Sequence, residues 1–151
     1  MNDNVPAATP LGAPASFDVA KFALAAAAGL AAAMAGAALW AVVTVLSEYE
    51  IGIMAVAVGF MVGRAIIFVA KSGNLSYGIL GAVLSLFGCL LGNLLSGVGF
   101  AAQGGHISYL TMLGYLDFDI AVQLMKDTFS AMDLIFYAIG IYEGYRFASR
   151  R

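Results

Sequence analysis

Twenty-five consecutive residues, Phe22 to Leu46, carry no charged side chain. About 20 apolar residues suffice to cross the hydrocarbon of a bilayer. The composition agrees with a membrane setting. Of 151 residues, 62% are hydrophobic and 11% charged, and the mean hydropathy is +0.93. A soluble domain has about 45–50% apolar and about 25% charged residues. The chain therefore reads as an integral membrane protein. Three further apolar segments follow, so the fold class is an all-α bundle of four transmembrane helices, at about 22–46, 51–70, 79–100 and 130–148. The domain covers residues 21–151. Residues 1–20 hold all three prolines and read as a disordered cytoplasmic tail. A signal-peptide core is about 7–15 residues long behind a basic region. The first run is longer and only Lys21 is basic ahead of it, so an uncleaved span is expected.

Each span carries a face suited to close packing. Ala25, Gly29, Ala33, Ala37 and Ala41 recur every fourth residue in the first, and Ala55, Gly59 and Gly63 in the second. Small residues at this spacing let helix backbones approach in lipid. An alanine-rich helix is weakly hydrophobic and needs neighbours. The third span has Gly88 and Gly92, and beside them a face of Gly81, Ser85, Cys89, Asn93 and Gly97. Such polar faces are hidden against protein or water. Asn93 is expected to bond to another helix. The fourth span has Gly140 and Gly144. Trp40 and several tyrosines lie near span ends, where aromatic side chains anchor at the interface.

The turns have their own chemistry. Ser47 and Glu50 have the spacing of a capping box, with Leu46 and Ile51 placed as a hydrophobic staple, and predict the start of the second helix. Ser130 and Asp133, flanked by Phe129 and Leu134, predict the start of the fourth. Between the third and fourth spans, Ile120, Ala121, Leu124, Met125 and Thr128 keep helical spacing. They predict a short amphipathic helix at the membrane surface, capped by Asp117 or Asp119.

With four spans both termini share a side. Lys21, Lys71, Arg146, Arg150 and Arg151 fall on that side and Arg64 nearest to it, with Lys126 opposite. The positive-inside rule then puts both termini in the cytoplasm. Glu48, Glu50, Asp117, Asp119, Asp127 and Asp133 collect on the outer face, where helix starts favour negative charge. Both inward-running helices have a Ser-x-x-acid start, a glycine pair and a following arginine. A general preference for caps at the start and bases at the end explains that likeness as well as duplication does.

Arg64 and Glu143 each lie seven residues before a cytoplasmic basic residue, about 10 Å along a helix. Their matched depth makes them a candidate intramembrane ion pair, with separate snorkelling as the alternative. His106 has no partner at metal spacing, and Cys89 is the only cysteine, so no metal site or cofactor is predicted. No nucleophile–base pair or phosphate loop is present, so the chain does not read as an enzyme. No basic patch with interleaved aromatics suggests nucleic acid.

The segment from Trp40 through Tyr49-Glu50-Ile51-Gly52 and Gly59-Phe60-Met61-Val62-Gly63, on to Gly81 and Gly88-Cys89-Leu90-Leu91-Gly92, resembles an uncharacterised family of small bacterial multi-pass membrane proteins. Some relatives carry an N-terminal zinc ribbon, which one cysteine cannot build. The resemblance implies a bacterial inner (cytoplasmic) membrane and supplies no activity. Two functions fit these readings. One is a protein that works by helix association, as a homo-oligomer or as a subunit with another membrane protein. The other is an oligomeric channel or transporter for an ion or small solute, lined by the Ser85–Asn93 face.

Overall fold

The computed structural model describes residues 18–49 and 52–150, folded into six helices. They are α1 (Val19–Ser47), α2 (Ile53–Ala70), α3 (Leu75–Gly104), α4 (Tyr109–Gly114), α5 (Phe118–Thr128) and α6 (Ala131–Ser149). Among the described residues there is no strand. Three helices, α1, α2 and α3, are long and apolar enough to cross a membrane.

Glycine positions give the register. Gly29 lies against Ile66 and Leu84, and Gly36 against Val58, so α1 and α2 run antiparallel. Gly88 lies against Ala33, Gly92 against Trp40 and Gly99 against Val45, so α1 and α3 run parallel. Gly52 meets Phe136, Gly59 meets Gly140 and Gly63 meets Gly144, so α2 and α6 are also parallel. Gly78 meets Ser149 and Gly81 meets Gly144, so α3 and α6 are antiparallel. The adjacent pair α2 and α3 is the centre of the bundle, with α1 on one flank and α6 on the other, and the α1 and α6 backbones do not approach each other. Lys21, Lys71, Arg146 and Arg150 consequently share one end, and Glu48, Asp117, Asp119, Asp127 and Asp133 the other.

The helices differ in length. With 29 and 30 residues, α1 and α3 extend about 43–45 Å, whereas the 18 and 19 residues of α2 and α6 extend about 27–29 Å. The last turns of α3 therefore project beyond α2 and α6. There Leu124 and Thr128 of α5 lie against Gly97, and the Tyr109 hydroxyl of α4 donates to the Leu95 carbonyl at 3.3 Å. Partial desolvation against α3 raises the Tyr109 pKa above its ordinary value.

Several boundaries depart from expectation. Most of the predicted tail lies outside the described residues, but Val19 and Ala20 are already helical, capped by the Asp18 carboxylate, which accepts from the Lys21 amide at 3.0 Å. The third helix starts at Leu75 because Asn74 caps it, accepting from the Tyr77 amide at 3.0 Å. Its other end continues to Gly104. Ser47 does not start the second helix. It is the last residue of α1, its hydroxyl accepts from the Tyr49 amide at 3.4 Å, and Gly52 is the N-cap of α2. Helix α1 propagates through Ser47 and stops only where Glu48 turns left-handed, at φ 57°. Glu48 is thus a helix-ending residue and not a first-turn acid. Glu50, the other half of that predicted box, and Ile51 lie outside the described residues.

The second box forms as predicted at the start of α6, and in it the Ser130 amide donates to the Asp133 carboxylate at 2.7 Å. Asp117 caps α5 by accepting from the Ile120 amide at 2.8 Å. The preceding helix, α4, is an addition, capped by Ser108, which accepts from the Thr111 amide at 3.2 Å.

Candidate functional site

The polar residues predicted on the third helix meet on one seam, where α3 faces α6. Ser85 and Cys89 are fully buried and Asn93 is 4% exposed. The seam is narrow because glycine stands opposite Ser85 and Cys89. A Cβ on Gly144 would overlap the Ser85 hydroxyl, and one on Gly140 would sit 3.2 Å from the Cys89 sulfur and 2.8 Å from the Ala55 carbonyl. Three helices thus approach to backbone distance around Gly140 and Gly144, as small residues permit in lipid. The Ser85 hydroxyl has no hydrogen-bond partner in this contact.

At the acidic end of the seam the Asn93 amide donates to the Tyr137 hydroxyl at 2.9 Å, a buried bond between α3 and α6. Trp40 and Phe129 stand edge-on to the Tyr137 ring, with centroids 6.4 and 6.3 Å away. Trp40 is 4% exposed and Tyr137 5%. Trp40 was expected to anchor at a membrane interface. It sits inside the bundle because Gly92 leaves room for the indole against α3. Sequence spacing did not identify Tyr137 as the partner of Asn93. The available signal was its position three residues before Gly140, on the same helix face.

All seven predicted packing glycines lie where an added Cβ would meet another helix. Gly59 would meet the Gly140 carbonyl and Gly63 the Phe147 Cβ, while Gly29, Gly88 and Gly92 would meet the side chains already named. The close-packing faces are therefore engaged within the chain.

The proposed Arg64–Glu143 pair does not form. Glu143 bonds to Arg146 one turn along its own helix, at 3.3 Å. Arg64 is exposed on α2 and has no ion-pair partner among the described residues. The reason is azimuth. Gly63 and Gly144 face the partner helix, and the next residue on any helix is rotated by about 100°. Arg64 follows Gly63 and turns outward.

His106 is exposed in the turn after α3, at φ 53°. Among the described residues no group of three or more His, Cys, Asp or Glu side chains could hold a metal ion. The seam is a packed contact crossed by the Asn93–Tyr137 bond, and its polar face meets protein. No family model matches the chain, and no curated protein or solved structure shows a significant similarity to it.

Proposed function

We propose that the protein is a four-span helical protein of a bacterial cytoplasmic membrane, both termini inside, that works by association with itself or with another membrane protein. The outer face of α1 carries this reading. Ala23, Ala27, Ala31 and Ala35 recur every fourth residue there and are all exposed. The inner alanines of the same helix are used against α2 and α3, so this is a second small-residue face without a partner among the described residues. Alanine gains little from contact with lipid, whereas a small-xxx-small face suits another helix.

The fourth span is supported by α6 running parallel to α2 with matched glycines. Its lower hydropathy comes from Asp133, Glu143 and Arg146, of which the first is bonded at the cap and the other two are paired. The shared basic end supports the cytoplasmic placement. Helix α5 has no buried residue and a strongly amphipathic sequence, which supports an interfacial position. Mass by light scattering in mild detergent tests the association. An oligomer, or a stable co-purifying partner, is expected, and Ala31→Leu shifts it towards the single chain. A monodisperse monomer without a partner overturns the reading.

A further inference from the structure

Arg64 is a cation without an ion-pair partner among the described residues. It is exposed on the outward face of α2, seven residues before the basic end, or about 10 Å along the axis. An unpaired charge at that depth is expensive and marks a functional position. Among the described residues no acid pairs with it, and Glu143 is committed to Arg146.

The surroundings fit one kind of partner. Arg64 lines a groove of about 410 Å³ between α1 and α2, with Ala28, Ala65, Ile67, Phe68 and Val69. The groove exists because α1 presents the methyl of Ala28 there instead of a long side chain. Phe68 and Lys71 follow Arg64 at four and seven residues, on the same face. The Lys71 ammonium lies over the Phe68 ring, 4.4 Å from its centroid. A guanidinium, a ring and an ammonium thus line up from the groove towards the basic end.

We propose that Arg64 and Lys71 bind the phosphate headgroup of an anionic phospholipid whose acyl chain lies in the groove beside Ala28 and Phe68. This rests on the four-span reading, which supplies the depth of Arg64. The arginine fork matches phosphate geometry with two parallel hydrogen bonds, and the ammonium adds a second positive charge. Basic pockets between helices on the cytoplasmic side suit anionic headgroups. The apolar flank distinguishes this arrangement from an arginine that merely reaches into water, because it offers the chain of the same lipid a place to lie.

The full chain, reconstituted in nanodiscs of equal phosphatidylglycerol and phosphatidylcholine and then extracted in mild detergent, provides the test through mass spectrometry of the retained lipid. Phosphatidylglycerol is expected to be retained in preference. Arg64→Gln lowers its retention about five-fold, Arg64→Lys by less, and Arg150→Gln leaves it unchanged. Excess inorganic phosphate does not displace it. Equal retention of both lipids, loss on adding phosphate, or retention indifferent to Arg64→Gln overturns the site. Release of the chain from membranes by alkaline carbonate would instead overturn the span reading, and so separates the two failures.

Discussion

The seam among α2, α3 and α6 and the excursion through α4 and α5 are built on opposite terms. In the seam, glycine backbones touch other backbones, and Ser85, Cys89 and Asn93 are buried. In the excursion no residue of either helix is buried, and Leu110, Tyr115 and Phe118 are 78%, 66% and 81% exposed. The seam is closed by contacts between the helices themselves. The excursion is held by caps and by one side of α3, and its apolar side chains need a surface to cover them. Stability is therefore expected to be uneven along this chain, as it generally is between packed cores and peripheral segments.

The largest expected effect comes from filling the seam. Gly59→Leu places a side chain against the Gly140 carbonyl, which is backbone and cannot swing aside. Overpacking usually costs about 1–3 kcal/mol. The rigid contact here puts this variant at about 3 kcal/mol or more, read as a lowered unfolding midpoint in mixed micelles. Gly88→Ala is the comparison: its Cβ would meet a Val58 side-chain carbon at 2.7 Å, with the Ala33 carbonyl further off at 3.3 Å, so the first atom in its way is not backbone. A smaller loss than for Gly59→Leu is expected. Equal losses would mean that the glycine contact at Gly59 yields as a side chain does.

A middle effect comes from the side-chain bond between Asn93 and Tyr137, which crosses the seam. Tyr137→Phe keeps the ring between Trp40 and Phe129 and removes the oxygen that accepts from Asn93. Hydrogen bonds between membrane helices are worth about 0.6 kcal/mol on average and up to about 1.7. Burial of the Asn93 amide argues for the upper half of that range. The same unfolding measurement checks it, and Asn93→Leu combined with Tyr137→Phe should cost less than the sum of the two single changes.

The long elements were legible because length and hydropathy alone define them, and the Asp133 and Asp117 caps because their spacing is local. The Ser47 box misled because a Ser-x-x-acid pattern does not say on which side of it the helix lies. Here α1 runs through it. The Arg64–Glu143 pairing failed for a different reason. Counting residues to the basic end gives depth along a helix but not direction around it, and both residues lie one step off the glycine face. Trp40 was read from its position near a span end, whereas its burial depends on Gly92 in another helix. Helix α4 has six residues and no hydrophobic period long enough to detect.

The smallest global effect, and the sharpest probe of the contrast, is Asp117→Ala. With 11 residues, α5 is shorter than the roughly 12–15 needed for marginal stability of an isolated helix in water. It has no buried residue to hold it, so its cap, with Asp119 in the first turn and Lys126 in the last, carries an unusual share of its order. Loss of an N-cap typically costs about 1 kcal/mol. That cost should appear in hydrogen exchange as about five-fold faster exchange in residues 118–128, because local opening sets the rate there. The amides around Gly59 and Gly140 should not change. Moving the protein from detergent to a bilayer should slow exchange in α5 and leave the seam as it was, if lipid covers Ile120, Leu124 and Met125. Faster exchange in both regions after Asp117→Ala would show that the excursion and the seam open as one unit, and the contrast between them would be lost.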